Sequence, residues 1–321
     1  MHKFSVIVPV YNRPEEVDEL LASLQRQTLP PFEIIIVEDG SSNTCEEVVE
    51  KYRDSMNLSY FFKENSGQGF SRNFGFDKAK GDYFVVFDSD CIIPDQYFQI
   101  VGDHITKNSL EAYGGPDRAR DDFTDIQKAI SYSMTSLITT GGIRGNRKTS
   151  GAFHPRSFNM GVSRKVYETV GGYKITRMGE DIEYSVRIIE AGFNTGLIEK
   201  AFVYHKRRTS FYQFFKQLRF FGRARINVSR FFPKEIKLIH LLPLFFLLGE
   251  FAWGILSFFN YPIFIIGALV NAVFATLNFA LAFILYKNIW VALLSVVASF
   301  IQILAYGTGL FTEGLKKILR S

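Results

Sequence analysis

Between Leu238 and Thr312, 75 consecutive residues carry only two formal charges, Glu250 and Lys287. A helix at the surface of a soluble domain needs a polar face, and this stretch has none to give. It divides into three apolar segments, about 238–259, 262–286 and 289–311, each near the ~20 residues that cross a bilayer as a helix. The flanks are basic. From Lys206 to Lys237 ten Lys or Arg stand against one acid, Glu235, and the tail from Glu313 has a net charge of +2. The positive-inside rule places both flanks in the cytoplasm, which requires an even number of crossings. Two crossings are therefore expected, and the first segment, with His240, Pro243 and Glu250, is expected to lie at the interface or re-enter.

The whole chain of 321 residues is net +5, so with +9 in the collar and +2 in the tail, residues 1–205 are net −6. The basic character belongs beside the membrane, where it suits anionic lipid headgroups, and nucleic-acid binding is not expected. The expected divisions are a catalytic domain (1–205), a basic helical collar (206–237), membrane or interfacial helices (238–312) and a basic tail (313–321). Cys45 and Cys91 form no Cys-x-x-Cys motif, which suits a reducing cytosol. MHKFSVIVPVYN enters a strand directly, so no signal peptide is expected.

Residues 4–10, FSVIVPV, read as a strand covered on both faces. Pro14 with Glu15 and Glu16 opens a helix whose buried stripe holds Leu20, Leu21 and Leu24. Further strands are expected at Phe32–Val37, Leu58–Phe62 and from Tyr83 to Asp88, with a helix after the Gly-rich turn Asn65–Gly69. Strands alternating with helices specify a mostly parallel sheet with right-handed crossovers. Ligands on such sheets bind beyond the carboxyl ends of the strands. Tyr11, Asp39, Asp88 and Asp90 all fall there. Beyond Pro94, residues 141–161 read as a mobile loop, 163–170 and the run after Gly179-Glu180-Asp181 as helices, and Thr195–Tyr204 as a closing strand.

Asp88-Ser89-Asp90 ends an apolar strand with two carboxylates that repel one another. A divalent cation, Mg²⁺ or Mn²⁺, resolves the repulsion; a plain turn or cap also uses Asp at such positions. Glu180-Asp181 is open in the same way, since two acids at a helix start complement its dipole.

Five elements together decide between these readings. SVIVPVYNRPEE, IIIVEDGSS, ENSGQGFSRNFGFDKAKGDYFVVFDSDC, FNMGVSRKVYETVGGY and MGEDIEYSVRIIEAGF occur in order over residues 3 to about 205. The chain resembles the family 2 glycosyltransferases, which have the GT-A nucleotide-diphospho-sugar transferase fold. The resemblance implies an inverting transfer from a nucleotide-diphosphate sugar. It implies that Pro9 and Tyr11 line the base pocket, that Asp39 hydrogen-bonds base or ribose, and that Arg72 contacts the nucleotide. Gly67 and Gly75 would allow close backbone packing. Asp88 would lie near ribose and metal, Asp90 would bind Mn²⁺ or Mg²⁺ directly, and His205 matches a further metal-ligand position. Asp181 would be the general base, with Glu180 beside it.

Gln217-Leu218-Arg219-Phe220-Phe221 does not match the Gln-x-x-Arg-Trp of processive synthases, which favours single addition. The text after Asp90 lacks Leu-Ser-His-Pro, which weighs against the alternative, a polyprenyl-phosphate glycosyl synthase. The expected acceptor is lipid-linked or part of a surface glycan. The expected location is the inner, cytoplasmic membrane with the catalytic domain in the cytoplasm. A channel or transporter is the contrasting class, and the near absence of intramembrane charge speaks against it.

Overall fold

A computed structural model describes residues 2–118, 122–140, 153–206 and 208–319. Of the expected loop, residues 141–152 lie outside the described residues, as do Arg207 and Arg320. The chain begins β1 (Phe4–Val10), α1 (Pro14–Gln25), β2 (Glu33–Asp39), α2 (Glu46–Tyr52), β3 (Leu58–Lys63), α3 (Gln68–Lys78) and β4 (Tyr83–Phe87). Next come β5 (Cys91–Ile92), α4 (Tyr97–Asn108), β6 (Ala112–Gly114), β7 (Asp117–Arg118), α5 (Asp125–Thr135) and α6 (Leu137–Thr140). β8 (Asn159–Ser163), α7 (Arg164–Val170), α8 (Glu180–Glu190), β9 (Thr195–Leu197) and β10 (Val203–His205) follow. The chain closes with α9 (Phe211–Val228), α10 (Leu238–Leu256), α11 (Tyr261–Tyr286) and α12 (Ile289–Leu319). These elements form two units. One holds the described residues of 1–118 and 150–206; the other holds those of 119–149 and 207–321.

The first unit is a seven-stranded sheet in the order β3-β2-β1-β4-β8-β6-β9. β1 pairs in parallel with β2 and β4, and β2 with β3. β8 is antiparallel to both its neighbours. Alternation along the central strands feeds two cores. Val6, Val8, Ile34 and Ile36 meet Leu20, Leu21 and Leu24 of α1 on one face. Ile7, Ile35 and Val37 meet Phe76 of α3 and Tyr184 of α8 on the other. Strands buried on both faces explain the unbroken apolar runs in their sequence. Gly75 lets α3 lie tight on β1, because a Cβ there would come within 2.4 Å of Ile7 Cγ2. The closing strand expected at Thr195–Tyr204 is two short strands, β9 in the large sheet and β10 in a small one between β5 and β7. Ile198 and Ala201 between them are buried in the core, and the Ile198 N–H donates to the Gly114 carbonyl at 2.9 Å.

The second unit is helical. α12 packs on α9, α5, α10 and α11. Gly222 of α9 seats against the α12 backbone, where a Cβ would fall 2.2 Å from the Tyr306 carbonyl oxygen. The unit takes in α5, which the sequence reading left inside the 1–205 domain. The face of α5 carrying Ala129, Ile130 and Met134 is buried with Phe214 and Leu218 of α9 and Ala298 and Ala305 of α12. α10, α11 and α12, of 19, 26 and 31 residues, are each long and apolar enough to cross a membrane. That includes α10, which charge balance alone assigns to the interface. Much of their apolar surface faces outward, as at Phe251, Ile266 and Val273, in the manner of helices solvated by lipid.

Candidate active site

β1, β2 and β4 are adjacent and parallel, so their carboxyl ends share one edge of the sheet. Tyr11, Asp39 and Asp88 therefore lie along that edge. Tyr11 is 53% exposed and presents an open ring just past β1; Pro9 lies within β1, opposite Val37. Asn12 next to it adopts φ 53°, and its Oδ1 accepts from the backbone N–H groups of Ser42 and Asn43, both at 2.9 Å. The loops after β1 and β2 are thereby tied together. Buried Glu38 completes the tie by accepting from the Ser41 hydroxyl and the Cys45 N–H.

Asp39 is committed to the loop after β3. It accepts from Lys63 Nζ at 2.6 Å and from the N–H groups of Ser66 and Gly67, both at 2.8 Å. Burial alone would raise its pKa, but the Lys63 and Ser66 hydrogen bonds outweigh this and hold the carboxyl below its ordinary value. Gly67, the N-cap of α3, has φ 89°, a left-handed region that suits glycine.

Arg72 is 1% exposed. Its Nη2 donates to Asp88 Oδ1 at 2.8 Å and its Nη1 to Glu180 Oε1 at 3.3 Å, and its guanidinium faces the Tyr173 ring at 5.5 Å. Sequence reasoning gives this arginine to the nucleotide. The structure gives its fork to two carboxylates, because α3 runs beneath the strand ends and points residue 72 inward. One buried cation thus joins the tip of β4 to the start of α8. Gln68 also donates to Glu180.

Asp181 accepts from Arg156 Nη1 at 3.0 Å through Oδ2 and from its neighbour Ile182 N–H at 2.8 Å through Oδ1. The two acids are pushed apart. Burial, then the Asp181 charge, raises Glu180. Asp181 is also penalised by burial, but Arg156 and then Arg72 pull it below its ordinary value. A pair split in this way has one member ready to be ionised and the other easier to protonate.

At Asp90, Arg13 Nη1 lies 2.9 Å from Oδ2 and His205 Nε2 lies 3.0 Å from Oδ1. β5 and β10 set Cys91 opposite His205, and Asp90, Cys91 and His205 can bring one ligand atom each within 4.8 Å of one another. The His205 ring stacks on Phe158 at 5.3 Å between centroids. Burial, followed by the nearby Asp90 charge, pushes the Cys91 thiol well above its ordinary value. The Asp90 carboxylate and His205 imidazole are donors that a divalent cation such as Mn²⁺ takes, and the soft Cys91 sulfur suits such an ion less. Asp88, expected beside them, turns its carboxylate to Arg72. The cations Arg13, Lys63 and Arg156 were not found from sequence; each sits far along the chain from its acid, and no local spacing marks it.

Residues 5–171 match the family model described as glycosyl transferase family 2. The chain belongs to that family. TarS of Staphylococcus aureus, a poly(ribitol-phosphate) beta-N-acetylglucosaminyltransferase, is 42% identical over 94 residues, which is 28% of this chain and 16% of TarS. Validoxylamine A glucosyltransferase of Streptomyces hygroscopicus subsp. limoneus is 34% identical over 120 residues, 36% of this chain and 25% of that protein. The matched stretches thus span 16% and 25% of these curated relatives. Among solved structures, the mannosyltransferase PcManGT of Pyrobaculum calidifontis, in complex with GDP-Man and Mn²⁺, superposes with a TM-score of 0.67 at 16% identity. That match covers 93% of this chain and 87% of PcManGT. The fold is the GT-A fold.

Proposed function

We propose that the protein transfers one sugar, with inversion, from a nucleotide-diphosphate sugar to a hydroxyl of a lipid-linked or cell-surface glycan acceptor. One observation carries this reading: Asp39 and Asp88 lie at strand ends on one edge of the sheet with Asp90 two residues on, and Arg72 links that edge to Glu180 at the start of α8. The relatives' names and the GDP-Man and Mn²⁺ bound to PcManGT support it.

In this reading Pro9 and the open Tyr11 ring receive the base. Asp39 shapes the pocket wall by holding the turn at Ser66 and Gly67. Arg72 acts as a positioning residue through Asp88 and Glu180, while Asp88 faces the ribose side. Asp90 and His205 would hold Mn²⁺ or Mg²⁺, and a cation there would stabilise the charge that gathers on a departing diphosphate. Asp181, kept ionised by Arg156, takes the acceptor's hydroxyl proton. As that proton leaves, the acceptor oxygen bonds to the anomeric carbon, and the bond from that carbon to the diphosphate oxygen breaks on the opposite face. Attack from one face opposite the leaving group inverts the centre. Glu180 orients the loop through Gln68 and Arg72.

The apolar helices and basic flanks support a location in the inner membrane with the site in the cytoplasm. A tethered enzyme meets a bilayer-bound acceptor at a raised effective concentration. The test is transfer from UDP- and GDP-sugars to membrane lipid extracts by the full-length protein. Asp181→Asn is expected to reduce turnover by about 10²–10⁴-fold with nucleotide binding retained. Turnover at the wild-type rate would remove Asp181 from the mechanism.

A further inference from the structure

Arg13 approaches the acidic triplet from the end of β1. Its Nη1 lies 2.9 Å from Asp90 Oδ2 and 3.9 Å from Glu16 Oε1. The other Asp90 oxygen lies 3.0 Å from His205 Nε2. Asp90 thus has a nitrogen close to each of its oxygens. The two neighbours differ in kind: His205 is fixed by the β5–β10 pairing and by Phe158, whereas the Arg13 side chain is long and 32% exposed. Asn12, next to Arg13 in the chain, is tied to the loop after β2 through its N–H, which donates to Ser41, and its Oδ1, which accepts from Ser42 and Asn43.

A divalent cation shared by Asp90 and His205 enters on the Oδ1 side and meets a guanidinium already on the other oxygen of the same carboxylate. Two cations at one carboxylate repel strongly where water is partly excluded. A diphosphate beside the triplet offers a displaced guanidinium a new bidentate partner. We infer that Arg13 makes metal affinity at Asp90 depend on bound nucleotide diphosphate: it competes with the metal in the free protein and moves onto the diphosphate in the loaded one. The inference rests on the proposed role of Asp90 and His205 as metal ligands. Metal and nucleotide then strengthen each other's binding, and linkage requires the effect to be reciprocal.

The test is Mn²⁺ binding to the full-length, detergent-solubilised protein without nucleotide, read from the electron paramagnetic resonance signal of free Mn²⁺. Removing a charge-assisted, partly exposed competitor in Arg13→Gln is expected to tighten Mn²⁺ binding by about tenfold. Arg13→Lys keeps a charge without the fork and is expected to fall between the two. Thermal melts check that each variant is folded. Adding UDP or GDP is expected to tighten Mn²⁺ binding more in the wild type than in Arg13→Gln. Equal or weaker Mn²⁺ binding by folded Arg13→Gln overturns the inference. Asp90→Asn separates the two failures: unchanged Mn²⁺ affinity in that variant overturns the metal-site reading itself, whereas loss of binding there leaves it standing.

Discussion

The two units treat their polar groups in opposite ways. In the sheet unit, acids gather at one edge and each meets a cation: Asp39 with Lys63, Asp88 with Arg72, Asp90 with Arg13 and Asp181 with Arg156. In the helical unit, polar side chains pair across helices and hold them together. Asn278 of α11 accepts from Tyr132 of α5 at 3.1 Å and from Ser299 of α12 at 3.0 Å. Asn271 of α11 donates to Glu250 of α10 at 3.0 Å. Glu313 of α12 receives Arg223 and Arg230, each at 3.1 Å. In the proposed function a charged ligand can exchange with the pairs made by the partly exposed Lys63, Arg13 and Arg156, whereas the Arg72 pair is buried. The pairs at Asn278 and Asn271 lie on helices apolar enough to cross a membrane, where lipid would offer no substitute partner.

That contrast can be broken most forcefully at Arg72, the one site pair in which the cation is wholly buried. Arg72→Met leaves Asp88 and Glu180 without their shared partner, and the expected loss of stability is about 3–5 kcal/mol, with transfer activity lost as well. A thermal melt beside a transfer assay measures both. An unchanged melting temperature would show that Arg72 belongs with the exchangeable pairs.

In the helical unit the matching probe is a packing change. Gly222→Leu forces a side chain into the α12 backbone at Tyr306 and is expected to cost about 1–3 kcal/mol, seen as a lower Tm in detergent. Nucleotide binding is expected to persist, and its loss would contradict separate roles for the two units.

The gentlest probe is Arg156→Gln. Arg156 holds Asp181 down against the upward push of burial, so removing it raises the Asp181 pKa. A base must be ionised, so the acidic limb of kcat/KM moves to higher pH, with little change well above it. A limb that stays in place would detach Arg156 from the base.

Much of this architecture was legible in the sequence. β1 coincides with FSVIVPV, and β2, β3 and β4 fall on the other apolar runs, because a strand covered on both faces must be apolar throughout. The stretch 238–312 declared its helices by lack of charge. The helix expected after Gly179-Glu180-Asp181 is α8, which begins two residues earlier at Glu180, with Gly179 at φ 100° as its N-cap. What stayed hidden depends on long-range register. β8 enters between β4 and β6 in the opposite direction, and nothing local in Asn159–Ser163 states its partner. The inward turn of Arg72, and the cations that Asp39, Asp90 and Asp181 meet, follow from where helices cross the strand ends. α5 lies inside the 1–205 domain expected from sequence, and only its contacts with α9 and α12 assign it to the helical unit.

The account stands on a metal-assisted diphosphate site at the tips of β1, β2 and β4. Its most direct test is the Tm of the full-length protein with UDP and with GDP, in Mn²⁺ and in excess chelator. A ligand that binds only the folded state raises Tm. The expected result is a rise with one nucleotide in Mn²⁺ that disappears in chelator and in Asp90→Asn; an equal rise in chelator would contradict it.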